Sequence, residues 1–134
     1  MIKNTFESYR NEPYALDFDK MRSLHGELLT EIGDDPDAAE LYDDLTDAAA
    51  KYAAIRAVWL GMSAEERAEA DPMRTSHHDS LIVHFNMLAR YLRMQGKSAS
   101  WRDELGNEEE NRYFRKTIGD FGCYIVFVNS ICAR

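Results

Sequence analysis

The spacing of helix breakers constrains this chain more than any other feature. Pro13, Gly33, Pro36, Gly61, Pro72, Gly96 and Gly106 cut it into helix-length pieces, and the apolar residues between them recur at three- and four-residue steps. A chain of 134 residues that is 45% hydrophobic and 30% charged can bury one continuous core without disulfide or metal staples. The expectation is one all-α domain over residues 1–134. Its architecture is an antiparallel helical bundle of about four main helices plus one or two short helices.

The first helix is predicted over about residues 14–32, with Leu16, Met21, Leu24, Leu28, Leu29 and Ile32 on one stripe and Gly33 as the stop. In the second, Asp35 has the N-cap position and Pro36 the first helical position. Leu41, Leu45, Ala48, Ala49, Tyr52, Ile55 and Trp59 mark its apolar face, and Gly61 ends it. Ser63 and Glu66 have capping-box spacing and open a short helix over residues 64–70, which Pro72 closes. The third main helix is expected over residues 77–95, capped by Thr75 or Ser76, with Leu81, Phe85, Leu88, Ala89 and Leu92 facing inward. A short turn over residues 101–105 follows, with Ser100 as its cap and Gly106 as its stop.

The last helix is expected to begin near Asn107, with Glu108, Glu109 and Glu110 at the positive end of its dipole. Phe114, Ile118, Phe121, Ile125, Val128 and Cys132 carry the helical period, and from Phe121 onward the segment is apolar nearly all round. That makes it the expected central, most buried helix. Residues 124–128 also favour strands, and Gly119 and Gly122 weaken a helix, so a strand is the alternative there. As helix positions, the two glycines mark places where another helix crosses closely.

Formal net charge is −8 and unevenly placed. Residues 1–72 carry 17 acidic and 7 basic side chains (7 − 17 = −10), and residues 73–134 carry 7 and 9 (9 − 7 = +2). An acidic chain argues against generic nucleic-acid binding, which needs a basic face for phosphates. The run Phe121–Val128 is too short to span a bilayer, so no membrane partner is expected. Lys3, Asn4 and Glu7 interrupt any apolar leader, and Cys123 and Cys132 point to opposite sides of a helix and cannot pair within it. Together these point to buried thiols in a reducing, cytoplasmic setting.

Several groups could carry chemistry. His77, His78 and His84 lie close together, and His77 and His84 share a helical face, two turns apart. A metal there would need a further ligand from another helix, with His25, Glu27 or Asp120 able to supply it. The acidic run from Asp34 to Asp47 holds no basic residue, and Glu40 with Asp43, or Asp44 with Asp47, sets two carboxylates on one face. The segment 40–45 resembles part of the metal-binding pattern of the all-α nucleoside triphosphate pyrophosphohydrolases. That family binds Mg²⁺ through a Glu-x-x-Glu pair and a later Glu-x-x-Asp pair. Only the second half matches here, because Glu27 and Glu31 are four apart. The resemblance implies a divalent metal and phosphate-ester hydrolysis, though half a ligand set cannot by itself hold Mg²⁺ and polarise a water.

Asp120 is an ionisable group in the most apolar segment, and it requires a cation such as Arg90 or Arg115. Arg90, Arg93, Lys97, Arg102, Arg112, Arg115 and Lys116 flank Trp101. Arginine beside an aromatic can bind a phosphate or a base. The same cluster can instead dock the acidic second helix, of this chain or of a second copy. No complete catalytic set, no glycine-rich phosphate loop and no resident cofactor motif is visible. The reading this supports is a small interaction module, partnered by another protein or by itself. A metal-dependent hydrolase of a phosphate-containing small molecule is the alternative. A ligand sensor with its pocket near Trp59 and Phe85 is a third reading.

Overall fold

A computed structural model describes residues 17–110 and 114–132, the last two by backbone alone. It is an all-α bundle. Four main helices, α1 (Phe18–Ile32), α2 (Pro36–Trp59), α3 (Ala64–Met94) and α5 (Phe114–Cys132), enclose the core, and the short α4 (Ser100–Leu105) closes one end. α2 packs chiefly along α3 and α5, while α1 lies against α4 and α5.

Local sequence accounts for most of the boundaries. The Asp17 side chain accepts the backbone N–H of Lys20 at 2.8 Å and starts α1. Gly33, at φ +51°, ends that helix by donating its N–H to the Leu29 carbonyl. Asp35 caps α2 by accepting from the N–H groups of Asp37 and Ala38, and Pro36 follows in the first turn. Ser63 and Glu66 form a reciprocal capping box at the start of α3, at 3.1 and 2.8 Å.

Pro72 does not close a short helix. α3 runs unbroken through it for 31 residues, so the expected cap at Thr75 or Ser76 falls inside the helix. An interior proline removes one backbone donor and crowds a carbonyl, at a cost of about 3 kcal/mol. Two arginines on either side of Pro72 hold the helix across that defect. The Arg67 Nε donates to the Trp59 carbonyl at 2.9 Å, and the Arg74 guanidinium lies 4.5 Å over the Trp59 ring. Residues 68 and 69, one turn before Pro72, are exposed.

The α4 cap also differs from expectation. Ser100 is the first helical residue, and the capping position belongs to Ala99, held at φ +50° without a side-chain cap. The Ser98 hydroxyl accepts the Ser100 N–H at 3.4 Å, and α1 anchors the turn that leads into the helix. The Glu31 carboxylate accepts from the Ala99 N–H at 3.0 Å, the Ser98 hydroxyl at 3.2 Å and the Trp101 indole N–H at 2.9 Å.

Residues 124–128 are helical, not a strand. α5 is described from Phe114, and the expected start near Asn107 is not helical. Glu108, Glu109 and Glu110 form a turn instead, in which the Asn107 side chain accepts the N–H groups of Glu109 and Glu110. Burial is deepest over residues 117–125, and Val126, Phe127 and Val128 are only partly covered. The two glycines of α5 sit at close crossings. A Cβ on Gly122 would lie 2.7 Å from the Leu81 side chain of α3, and one on Gly119 would lie 2.8 Å from the Tyr52 hydroxyl of α2. No helix among the described residues is long and apolar enough to cross a membrane.

Candidate functional site

Three helices leave a cleft of about 370 Å³ where the last turns of α2, the middle of α3 and the first turn of α5 converge. The periodicity of each helix aims side chains into it. Tyr52, Arg56, Trp59 and Leu60 follow one face of α2, Arg74, Thr75 and His78 one face of α3, and Arg115 and Lys116 come from α5. Among the described residues, the lining thus holds four cations and no carboxylate.

Every one of those cations is held from outside the lining by a carboxylate. Beneath the cleft, the Asp120 carboxylate is 1% exposed and stands 3.0 Å from the Arg56 guanidinium and 3.8 Å from Lys116 Nζ. Arg74 pairs with Asp71 at 3.1 Å. Arg115 pairs with Asp79 at 2.8 Å through one terminal nitrogen and with Glu108 at 3.3 Å through the other. The last three carboxylates are exposed and exchange readily with water, whereas the Arg56–Asp120 pair is buried. The partner of Asp120 is therefore Arg56, with Lys116 one turn away on the same helix, and not Arg90 or Arg115.

His78 forms part of the cleft wall and is 4% exposed. Its Nε2 lies 2.5 Å from the Arg115 carbonyl oxygen. A carbonyl only accepts, so Nε2 carries the proton and Nδ1 keeps a lone pair, buried without a hydrogen-bond partner. Burial, reinforced by the nearby charges of Arg115 and Arg56, pushes the His78 pKa down to about 4. The ring is neutral in neutral solution and packs edge-on against Tyr52 at 4.9 Å. Gly119 makes this arrangement possible, because a Cβ there would meet the Tyr52 hydroxyl at 2.8 Å and Arg56 at 3.0 Å.

The remaining candidates separate. His77 and His84 lie with Asp44 and Asp47 along a shallow groove of about 310 Å³ between α2 and α3, while His78 turns to the other side. The His84 Nδ1 donates to the Ser80 carbonyl at 2.7 Å. Glu40 and Asp43 are exposed on α2. Among the described residues, no group of three or more His, Cys, Asp or Glu side chains comes together in a way that could hold a metal ion.

Trp101 is fully buried and its indole is committed to Glu31, so it presents no face to a ligand. The arginines near it tie down the chain around α4. Arg93 reaches Asp103 at 2.7 Å, and Arg102 donates to the Asn86 side chain at 2.7 Å and the Gly106 carbonyl at 2.8 Å. Neither docks the acidic run of α2. Arg90 is exposed on α3, and Arg112 lies outside the described residues. Phe85 belongs to the closed core, stacked on Phe121 at 5.5 Å, whereas Trp59 lies in the cleft, so the two do not frame a common pocket. The Cys123 thiol is pushed up to about 11 by burial, which leaves it protonated and a poor nucleophile. The side chain of Cys132 lies outside the described residues.

Sequence reasoning missed Arg56 and Arg74. Arg56 left a signal: it falls four residues after Tyr52, on the apolar stripe of α2, where a charge has no place unless it is paired. Arg74 left none, because the expected break at Pro72 separated it from Trp59. No known protein family, no curated protein and no solved structure matches this chain.

Proposed function

We propose that this protein is a small helical binding module that captures an anionic group of its partner in the cleft between α2, α3 and α5. The observation that carries the reading is the cleft lining, with Arg56, Arg74, Arg115 and Lys116 around one space and no carboxylate among the described residues that line it. Arginine, aromatic and methionine side chains are what interfaces use as anchors. Trp59 and Leu60 supply an apolar lip to the cleft, and Val58, next to Trp59 in the chain, and Met73, next to Arg74, stand exposed.

Titration with a panel of small carboxylates and phosphates, followed by NMR amide shifts, tests this. The expected response is confined to residues such as Trp59, Thr75 and Lys116, weakens with added salt and is absent for a cationic ligand such as choline. Shifts spread over the surface, or none at the cleft, would remove the proposal.

Self-association is a second reading, and it rests on a different surface. Val83, Met87 and Met94 are exposed on the face of α3 opposite the buried Leu81, Phe85 and Leu88. Sedimentation should then show a dimer that Met87→Lys dissociates. A wild-type monomer at all concentrations rules this out.

A further inference from the structure

Accepting the cleft as the binding site, the directions of its donors narrow the kind of anion it takes. We infer that the group captured is a phosphate monoester carried on an apolar or flat substituent. The accessible cations come from two helices, Arg74 from α3 and Arg115 and Lys116 from α5, and the hydroxyl of Thr75 lies beside them. Arg56 approaches from the third, α2, but deeper and already against Asp120. A planar carboxylate presents two oxygens in one plane and is satisfied by a single arginine fork. A phosphoryl group presents three oxygens in three directions, which suits donors that converge from separate helices.

Charge points the same way. Asp120 lies against both Arg56 and Lys116, so Arg74 and Arg115, held by exposed carboxylates, are the cations the lining offers to the ligand, and the two charges of a phosphate monoester answer both. Their present partners do not block entry. The side chains of Asp71, Asp79 and Glu108 are 53%, 59% and 64% exposed and can turn into water at little cost. Arg115 now divides its fork between two separate carboxylates, each held through one nitrogen. One phosphoryl group presenting two oxygens can replace both. The ester substituent then lies on the lip formed by Trp59 and Leu60. The lone pair of His78 Nδ1, which would repel an acceptor-rich ligand, is withdrawn beneath the surface.

The test compares phenyl phosphate, inorganic phosphate and benzoate by titration calorimetry and NMR amide shifts on the intact chain. Phenyl phosphate should bind at least about tenfold more tightly than benzoate, with inorganic phosphate weaker than phenyl phosphate for want of the lip contact. Arg115→Gln, at an exposed side chain, should keep the fold and weaken phenyl phosphate by about tenfold or more. The pair Asp79→Asn with Glu108→Gln, which releases the Arg115 fork, should tighten it. Benzoate matching phenyl phosphate would overturn the phosphate assignment and leave the anion cleft standing. If neither ligand moves the cleft amides, both fall. A phosphotyrosine peptide binding more tightly than phenyl phosphate identifies a protein-borne phosphate as the source, and equal affinity a small molecule.

Discussion

Asp120→Asn removes the carboxylate that stands against the buried Arg56 guanidinium while changing almost no volume. The pair is 3.0 Å apart, with Asp120 1% and Arg56 9% exposed. At an effective dielectric constant of about 20, two unit charges at that distance attract by about 5 kcal/mol before desolvation is counted. Removing one partner of a buried pair costs roughly 3–5 kcal/mol. The lower end applies here, because Arg56 also borders the cleft and water can reach part of it. A loss of about 3 kcal/mol in a chain of 134 residues corresponds to a fall in Tm of about 10 °C.

The assay is urea unfolding at pH 7 followed by circular dichroism, run as a double-mutant cycle with Arg56→Met. Each single variant should be clearly destabilised. The double variant should recover much of that loss, since it removes both members of the buried pair. A cost below about 1 kcal/mol for Asp120→Asn, or strict additivity in the double variant, would refute the pairing as a determinant of this fold.

Three further outcomes follow from the same structure. The folded pKa of His78 lies below its ordinary value, near 4 against 6.5, so the neutral ring stabilises the native state above about pH 6.5 and that contribution fades as the pH falls towards 4. Unfolding measured from pH 7 to 4 should show a shallower decline for His78→Gln than for wild type, and equal slopes would contradict the assignment. Gly119→Ala should destabilise by about 1–3 kcal/mol despite the gain in helix propensity, because the new methyl meets Tyr52 and Arg56 at 2.8 and 3.0 Å; a more stable variant in thermal melts would show that the crossing is looser than described. Mg²⁺, Mn²⁺ and Zn²⁺ should leave the Tm unchanged, and a rise of several degrees would restore the metal-dependent reading of Asp44, Asp47, His77 and His84.

Local features of the fold were legible residue by residue. Asp35 with Pro36, Ser63 with Glu66, and Gly33 mark helix ends in the sequence and do so in the structure. Pro72 misled because its rule concerns one turn of backbone, while the helix is carried across it by Arg67 and Arg74 gripping the end of another helix. Ser100 misled for the same kind of reason, since the turn that opens α4 is fixed by Glu31, 68 residues before the N–H it accepts at Ala99. Trp101 beside several arginines resembled a ligand site only because spacing does not reveal which aromatic faces inward.

What the amino-acid order determined unaided was the all-α class, most helix ends and most of the inward stripes, Leu29 being exposed instead, because caps and apolar periods act between residues three or four apart. Tertiary packing decided which charges meet. Arg56 and Asp120 are 64 positions apart and come together only because Gly119 lets α2 press its Tyr52 and Arg56 side chains against α5. The rotation of each helix about its axis, set by core packing across the whole bundle, gathers four cations into one cleft and leaves the histidines on two different faces.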